Sequence, residues 1–300
     1  MRLGVWAFQY PKPILEAIDQ GREYCVVAGF RPSRFHLGHV TLARELAWHI
    51  SRGAKSFLIV SGYEANIPLS ADKAREKVLE FWQTVRSIEG KEIPEPDHVY
   101  SDQECLDLRL LEDKVGESIP VQKVFQLYGW DAGVSIADLR KSTMSAASFL
   151  FSSVAVPKIP SMVLVDINQI THAEVAKIAA RKIGIAIPTF SYRMLLPSLL
   201  GPQKRMSIRD GRSAIFLDED IGSVKNKLQQ CFSGGRKTVK EQREKGGDPF
   251  ICSFFKICKT LFSVDSSEEM LKECTSGRVT CSDCKLKHIN LAVEKIYAIV

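Results

Sequence analysis

The stretch from Cys25 to Ile50 constrains the fold more than any other. Cys25 to Gly29 (CVVAG) is a short apolar run bounded by turn residues, the pattern of a buried strand. Val40 to Ile50 places Leu42, Leu46 and Ile50 at helical spacing. Between them lie Gly29, Pro32 and Ser33, so the order is strand, tight turn, helix. His36, Gly38 and His39 fall at the expected helix start, where free N–H groups and a partial positive charge suit a phosphate. Two imidazoles three residues apart can address one phosphate and stabilise charge that builds on it. Gly38 would let a planar ring approach the backbone. Taken alone, the histidines read equally well as half-exposed polar residues; the strand–turn–helix context favours chemistry.

The remaining pattern repeats the theme. Lys55 to Ser61 (KSFLIVS) and Ser161 to Ile167 (SMVLVDI) read as two more parallel strands. Helices are expected over Ala71 to Ile88, over Val121 to Leu150 with a break at Gly129 to Gly133, and over His172 to Ile183. Residues 1–24 form a mixed lead-in with a helical pattern from Ile14 to Ile18, and Pro94 to His98 reads as a loop. Alternating strands and helices predict an α/β fold, a Rossmann-like parallel sheet with helices on both faces. Ligands in such sheets bind beyond the carboxyl ends of the strands. The histidine turn, Gly62 and Asn168–Gln169 all belong there. From about Ser223 onward the pattern is helical only. The expected division is a catalytic domain over 1–222 and a smaller all-helical domain over 223–300.

With 300 residues the chain can bury a sizeable core. No apolar run reaches the length of a membrane span, and the first eight residues are too short and broken for a secretory signal. A cytoplasmic location is therefore expected, and the eight cysteines are not expected to form structural disulfides. The net charge of +6 is uneven: from Lys225 to Val300 there are fourteen Lys/Arg against nine Asp/Glu, a surplus of five. Such a surplus is compatible with a polyanion such as RNA, and equally with solvated helix faces.

After Gly201–Pro202, the segment Gln203 to Arg209 (QKRMSIR) carries Lys204, Arg205 and Arg209 in what reads as a loop. Mobile cations there could neutralise a departing pyrophosphate. An exposed basic loop is the plain alternative.

His36-Leu-Gly-His39 resembles the HIGH signature of class I aminoacyl-tRNA synthetases, and Arg205 to Arg209 (RMSIR) stands where their KMSKS loop would be. Ser213 to Leu217, Phe232 to Arg236, Glu241 to Arg243 and Gly246 to Asp248 are similar to tryptophanyl-tRNA synthetases of the archaeal and eukaryotic type. The likeness covers nearly the whole chain. It implies activation of an amino acid, with tryptophan leading, by ATP and Mg²⁺, followed by transfer to tRNA, tRNA-Trp in that case. By the same resemblance His36, His39, Lys204 and Arg205 are the catalytic groups. Gly29, Ser33, Gly38, Met206, Ser207 and Arg209 would bind the nucleotide. A homodimer is also implied.

The departures are specific. Arg205 replaces the first lysine of KMSKS, and Arg209 the final serine of the KMSAS form, with Lys204 one residue earlier as a substitute. Arginine keeps the charge but changes donor geometry. In the amino-acid pocket Val27 and Val60 stand where the family has a Tyr and a Gln, Ser145 stands for a further Gln, and Gln169 is retained. Two alternatives follow: a divergent paralogue using another amino acid or acceptor, or a non-catalytic RNA-binding or regulatory protein.

Cys252, Cys274, Cys281 and Cys284 form C-x21-C-x6-C-x2-C, a set able to close a four-thiolate site for an iron–sulfur cluster or zinc. The spacing resembles the 4Fe–4S motif of some bacterial tryptophanyl-tRNA synthetases, one residue shorter in the first gap. A 4Fe–4S cluster is the expectation, with Zn²⁺ as the alternative. Cys258 is a spare or competing thiol. Small buried apolar cysteines are the plain reading.

Overall fold

Buried β-branched runs set up a parallel sheet that the chain enters and leaves several times. The structure is a computed structural model and describes residues 5–89 and 93–298. The chain divides into two compact units, one built from Val5–Ser33 and Leu42–Met194, the other from Arg34–Thr41 and the chain from Leu195 onward.

In the first unit the elements are β1 (Val5–Gln9), α1 (Lys12–Asp19), β2 (Cys25–Phe30), α2 (Leu37–Ile50) and β3 (Lys55–Val60). Next come α3 (Gly62–Ala65), α4 (Ala71–Glu89), β4 (His98–Ser101), α5 (Leu106–Ser118) and α6 (Val121–Tyr128). After α7 (Ile136–Ala155) and β5 (Ser161–Asp166), a single 3-10 turn at Ile167–Gln169 leads into α8 (Ile170–Ile183) and β6 (Thr189–Arg193). The six strands are ordered β1-β6-β5-β2-β3-β4, with β1 antiparallel and the other pairings parallel. The chain moves outward from β2 to β3 and β4, then returns to lay β5 on the other side of β2. That reversal opens a crevice at the carboxyl ends of β2 and β5, the usual place for a ligand in an open α/β sheet.

The central strands are buried on both faces, as parallel strands flanked by helices must be. Val27, Phe57, Ile59, Val163, Phe149 and Leu150 belong to one apolar cluster between the sheet and α5, α7 and α8. Ser135 caps α7 by accepting the Asp138 N–H, and Gly184 ends α8 at φ 79°, a conformation that costs glycine little.

Of the six described strands of this sheet the sequence reading finds three. β1 lies inside the expected lead-in, β4 begins at the end of the expected Pro94–His98 loop, and β6 is absent from the reading. β6 is TFSYR, and its burial depends on a partner it cannot announce. Glu45 of α2 is fully buried, accepts from the Ser191 hydroxyl and forms an ion pair with Arg193 at 3.0 Å. Arg193 also reaches Asp166 at 3.1 Å. Buried charge is tolerated when paired and hydrogen-bonded in this way.

The second unit contains the hairpin β7 (Pro197–Ser198) and β8 (Gly201–Arg205), then α9 (Ile221–Gln230), α10 (Val239–Lys245), α11 (Ser253–Leu261), α12 (Val264–Thr275) and α13 (Cys281–Tyr297). Asp220, Thr238, Ser263 and Thr280 each cap the helix that follows. Lys227 of α9 donates to the Gly211 and Ala214 carbonyls, and Tyr297 of α13 donates to the Glu219 carbonyl. Helices thus dominate from Ile221 onward.

Candidate active site

The histidine turn belongs to the second unit because its backbone pairs there. Leu37 N–H donates to the Ile215 carbonyl at 2.8 Å, Leu217 N–H donates to Phe35 at 3.0 Å, and His36 bridges Phe216. α2 starts at Leu37, not at Val40 as the periodicity suggests, so Gly38 and His39 lie within its first turn.

Two backbone bonds fix the imidazoles. Gly38 N–H donates to His36 Nδ1 at 3.0 Å, and His36 N–H donates to His39 Nδ1 at 3.1 Å. A ring nitrogen that accepts an N–H carries no proton, so His36 holds its proton on Nε2, whereas His39 Nδ1 also lies 3.3 Å from the His36 carbonyl, to which its other tautomer would donate. His36 therefore offers an Nε2–H donor. The rings stand 4.2 Å apart, and burial, with His39 and Arg205 adding to it, lowers the His36 pKa to about 3. His36 is a neutral donor at any ordinary pH. The ring that approaches Gly38 is that of His36 itself: a Cβ on Gly38 would stand 2.7 Å from His36 Cε1.

Arg205 is close enough to His36 to depress its pKa, so the histidine turn and the RMSIR segment share one neighbourhood. Lys204 and Arg205 sit on strand β8 of the hairpin, not on the expected loop, and the turn proper is Met206 to Arg209. Gly201 begins β8 at φ 137°, open to glycine but not to other residues. Met206 is buried and anchors the turn. Ser213 pins it by accepting the Ser207 N–H at 3.2 Å and donating to the Ser207 carbonyl at 3.1 Å, while Ser207 Oγ accepts the Arg209 N–H. Lys204, Arg205 and Arg209 are exposed and form no ion pair among the described residues. Three uncommitted cations on the end of β8 and the pinned turn after it are suited to an incoming polyphosphate.

In the sheet unit a cavity opens at the carboxyl ends of β2, β3 and β5. Gly29 and Phe30 of β2, Ile59 of β3, Ser61, then Tyr63 and Glu64 of α3 line it. Lys141, Met144, Ser145, Ser148 and Phe149 of α7 and Gln169 complete the wall. Of the expected pocket residues Ser145 and Gln169 are present, and Gly29, expected against the nucleotide, lies here too. Val27 and Val60 are buried in the sheet and are not among the lining; Ile59 and Ser61 take the place expected for Val60. Successive strand residues face opposite sides, so a one-residue slip exchanges cavity for core. Ser33 precedes the histidine turn in the chain and is not part of this lining.

Glu64 is the residue that sequence reasoning missed. Ser61 caps α3 and receives the Glu64 N–H at 3.1 Å, a Ser-x-x-Glu signature legible in the chain. The Glu64 carboxylate pairs with Arg31 at 3.0 Å and accepts from Ser145 Oγ at 3.3 Å. Gln169 Oε1 accepts the Asp166 N–H at 3.1 Å, which leaves its amide NH₂ as the free donor. The cavity thus joins an acceptor for an ammonium to donors for a carboxylate, Lys141 and Gln169, over the apolar surfaces of Ile59, Met144 and Phe149.

Cys252, Cys274, Cys281 and Cys284 line a single pocket in the helical part of the second unit. Phe255 N–H points at Cys252 Sγ, 3.4 Å away. The glycine pairs fit tightly around the thiols: a Cβ on Gly235 would stand 2.9 Å from Cys281 Sγ, and one on Gly247 2.8 Å from Cys274 Sγ. Burial and the neighbouring thiols push Cys284 up to about 12 and Cys274 to about 11. Among the described residues no three His, Cys, Asp or Glu side chains stand at metal-holding geometry.

Comparison with known proteins joins these features to one family. Residues 114–298 match the model for tRNA synthetases class I (W and Y). The chain is 27% identical to the tryptophan–tRNA ligase of Methanocaldococcus jannaschii over 94% of its own length and 78% of that protein. With the corresponding ligase of Archaeoglobus fulgidus it shares 25% identity, covering 91% of this chain and 80% of the other. Its fold is that of tryptophanyl-tRNA synthetase from Aeropyrum pernix, with a TM-score of 0.80, 24% identity, and 97% of this chain and 80% of that one covered. Tyrosyl-tRNA synthetase from the same organism is similar at a TM-score of 0.72 and 15% identity, with 99% and 92% covered. The strand–turn–helix with its paired histidines, the pinned cationic turn and the sheet-end cavity thus belong to a member of the class I tRNA synthetases of the W and Y family.

Proposed function

We propose that this chain is a tryptophan–tRNA ligase that activates tryptophan with ATP and passes it to tRNA-Trp. The observation that carries the reading is the fixed tautomer of His36, a neutral Nε2–H donor with the His39 ring 4.2 Å away and Arg205 close by. The names of the similar ligases supply the amino acid.

In the first step an oxygen of the amino-acid carboxylate attacks the α-phosphorus of ATP, a P–O bond to pyrophosphate breaks, and the electron pair leaves with pyrophosphate. Charge builds on the α-phosphate oxygens as this happens. His36 and His39 stabilise it by donating, without having to lose or gain a proton. Lys204, Arg205 and Arg209 clamp the departing pyrophosphate, with Ser207 and Met206 holding their turn in place. Glu64 holds the ammonium, and Gln169 and Lys141 orient the carboxylate. Mg²⁺ bound with ATP would supply further neutralisation of the phosphates. In the second step a ribose hydroxyl at the tRNA 3′ end attacks the activated carbonyl and AMP leaves. Gly29, Ser33 and Gly38 are assigned to the nucleotide on the resemblance.

The division into a catalytic part over 1–222 and a tRNA-binding part over 223–300 belongs to this reading, as do a homodimer and a cytoplasmic site of action. No described helix is long and apolar enough to cross a membrane. The four cysteines are assigned to a 4Fe–4S cluster, for which an all-thiol donor set, a shared pocket and glycines packed against the sulfurs are suitable support. Anaerobic purification followed by absorbance and iron, sulfide and zinc assay separates the outcomes: about four irons per chain supports the cluster, one zinc replaces it, and neither removes the metal. Charging of tRNA-Trp with tryptophan, measured with and without each substrate, tests the ligase. Activation without transfer to any tRNA would favour a paralogue with another acceptor.

A further inference from the structure

The side-chain acceptors that line the sheet-end cavity are already engaged, with one exception among the described residues. Ser61 Oγ donates to Asp102 and accepts the Glu64 N–H. Tyr63 Oη accepts from Arg140 at 2.9 Å. Glu64 takes Arg31 and Ser145, and Ser145 also donates to the Lys141 carbonyl at 2.8 Å. Lys141 is paired with Asp138 at 3.7 Å, and Gln169 holds the Asp166 N–H. Ser148 alone has a hydroxyl in the lining with no partner among the described residues. It is one helical turn beyond Ser145 on α7, beside Phe149 and one turn from Met144, both of which line the cavity and are buried. An uncommitted hydroxyl set among apolar walls is the arrangement by which a site reads one polar atom on an otherwise apolar ligand.

We propose that Ser148 is a specificity-determining residue whose hydroxyl accepts a hydrogen bond from the ring N–H of the bound amino acid. The proposal rests on the tryptophan reading above. The ammonium and carboxylate have their own partners in Glu64, Lys141 and Gln169. The ring then meets Ile59, Met144 and Phe149, and its single polar atom needs an acceptor. A hydroxyl supplies one, since its proton can turn to the helix carbonyl one turn back while a lone pair faces the ring N–H. Without it, binding the ring would desolvate the N–H with nothing in return. Discrimination by a site that pairs a donor depends on that pairing.

The test compares tryptophan with benzothienylalanine, in which sulfur replaces the ring N–H, in ATP–pyrophosphate exchange. The expected result is that Ser148→Ala lowers the ratio of kcat/KM for tryptophan over the sulfur isostere about tenfold, the size of one lost hydrogen bond. Ser145→Ala, which disturbs a hydroxyl bound to Glu64, is expected to lower both substrates together and leave the ratio in place. A ratio unchanged by Ser148→Ala overturns this assignment while the ligase reading stands. A wild-type chain that exchanges with neither compound overturns the tryptophan reading and this inference with it.

Discussion

The histidine turn and the sheet-end cavity solve opposite problems. In the turn the His36 Nδ1 is spent on the Gly38 N–H and burial keeps the ring neutral, so its orientation and protonation are settled before any ligand arrives. In the cavity the side-chain acceptors satisfy one another, and among the described residues a single serine hydroxyl is left over between apolar walls. Chemistry on a phosphate is the same for any amino acid and rewards a fixed arrangement. Choice of amino acid depends on the few groups left to meet the side chain.

That contrast can be broken experimentally. The largest effect is expected from His36→Ala, which removes one Nε2–H donor and the acceptor of the Gly38 N–H together. Exchange kcat should fall about a hundredfold or more with little change in KM for the amino acid. A loss confined to KM would mean that the turn binds ground state only. Arg205→Ala removes a cation from the phosphate side, and a fall in kcat of roughly tenfold to a hundredfold is expected, with Arg205→Lys recovering part of it. Full recovery would show that the arginine geometry is immaterial. On the cavity side, Glu64→Gln keeps the shape and loses the charge, so the KM for the amino acid should rise about tenfold while KM for ATP holds. Equal changes in both would tie Glu64 to the fold and not to the ammonium.

The smallest effect is on stability. His36 and His49 are held neutral by burial, with pKa values lowered to about 3 and about 4, while an unfolded histidine titrates near 6.5. The unfolded chain then binds more protons than the folded one as pH falls below that value. Their contribution is complete above pH 6.5 and is lost progressively toward about pH 4 for His49 and about pH 3 for His36. Urea midpoints should drop over this range, and His49→Phe should flatten part of the slope. A midpoint constant from pH 7 to pH 4 contradicts the burial account.

The parts of this architecture legible in the sequence are those in which side chains alone decide. CVVAGF, KSFLIV and SMVLVD declare themselves as strands because each carries a run of buried, mostly apolar residues. TFSYR does not, because its place depends on Glu45 meeting Arg193 across 148 residues. The HLGH and RMSIR segments are equally plain as motifs, yet the protonation state of the histidines is set by backbone geometry that no spacing reveals. The cavity was the least legible region: a strand register off by one residue names Val60, a core residue, in place of Ile59. Glu64 was available from its capping serine, whereas Ser148 becomes conspicuous only when the partners of every other lining group are known.

The most direct measurement is amino-acid-dependent ATP–pyrophosphate exchange by the wild-type chain with each of the twenty amino acids in turn. Tryptophan alone should support exchange, as the ligase reading requires. Exchange with a different amino acid, or with none while ATP still binds, would contradict the account.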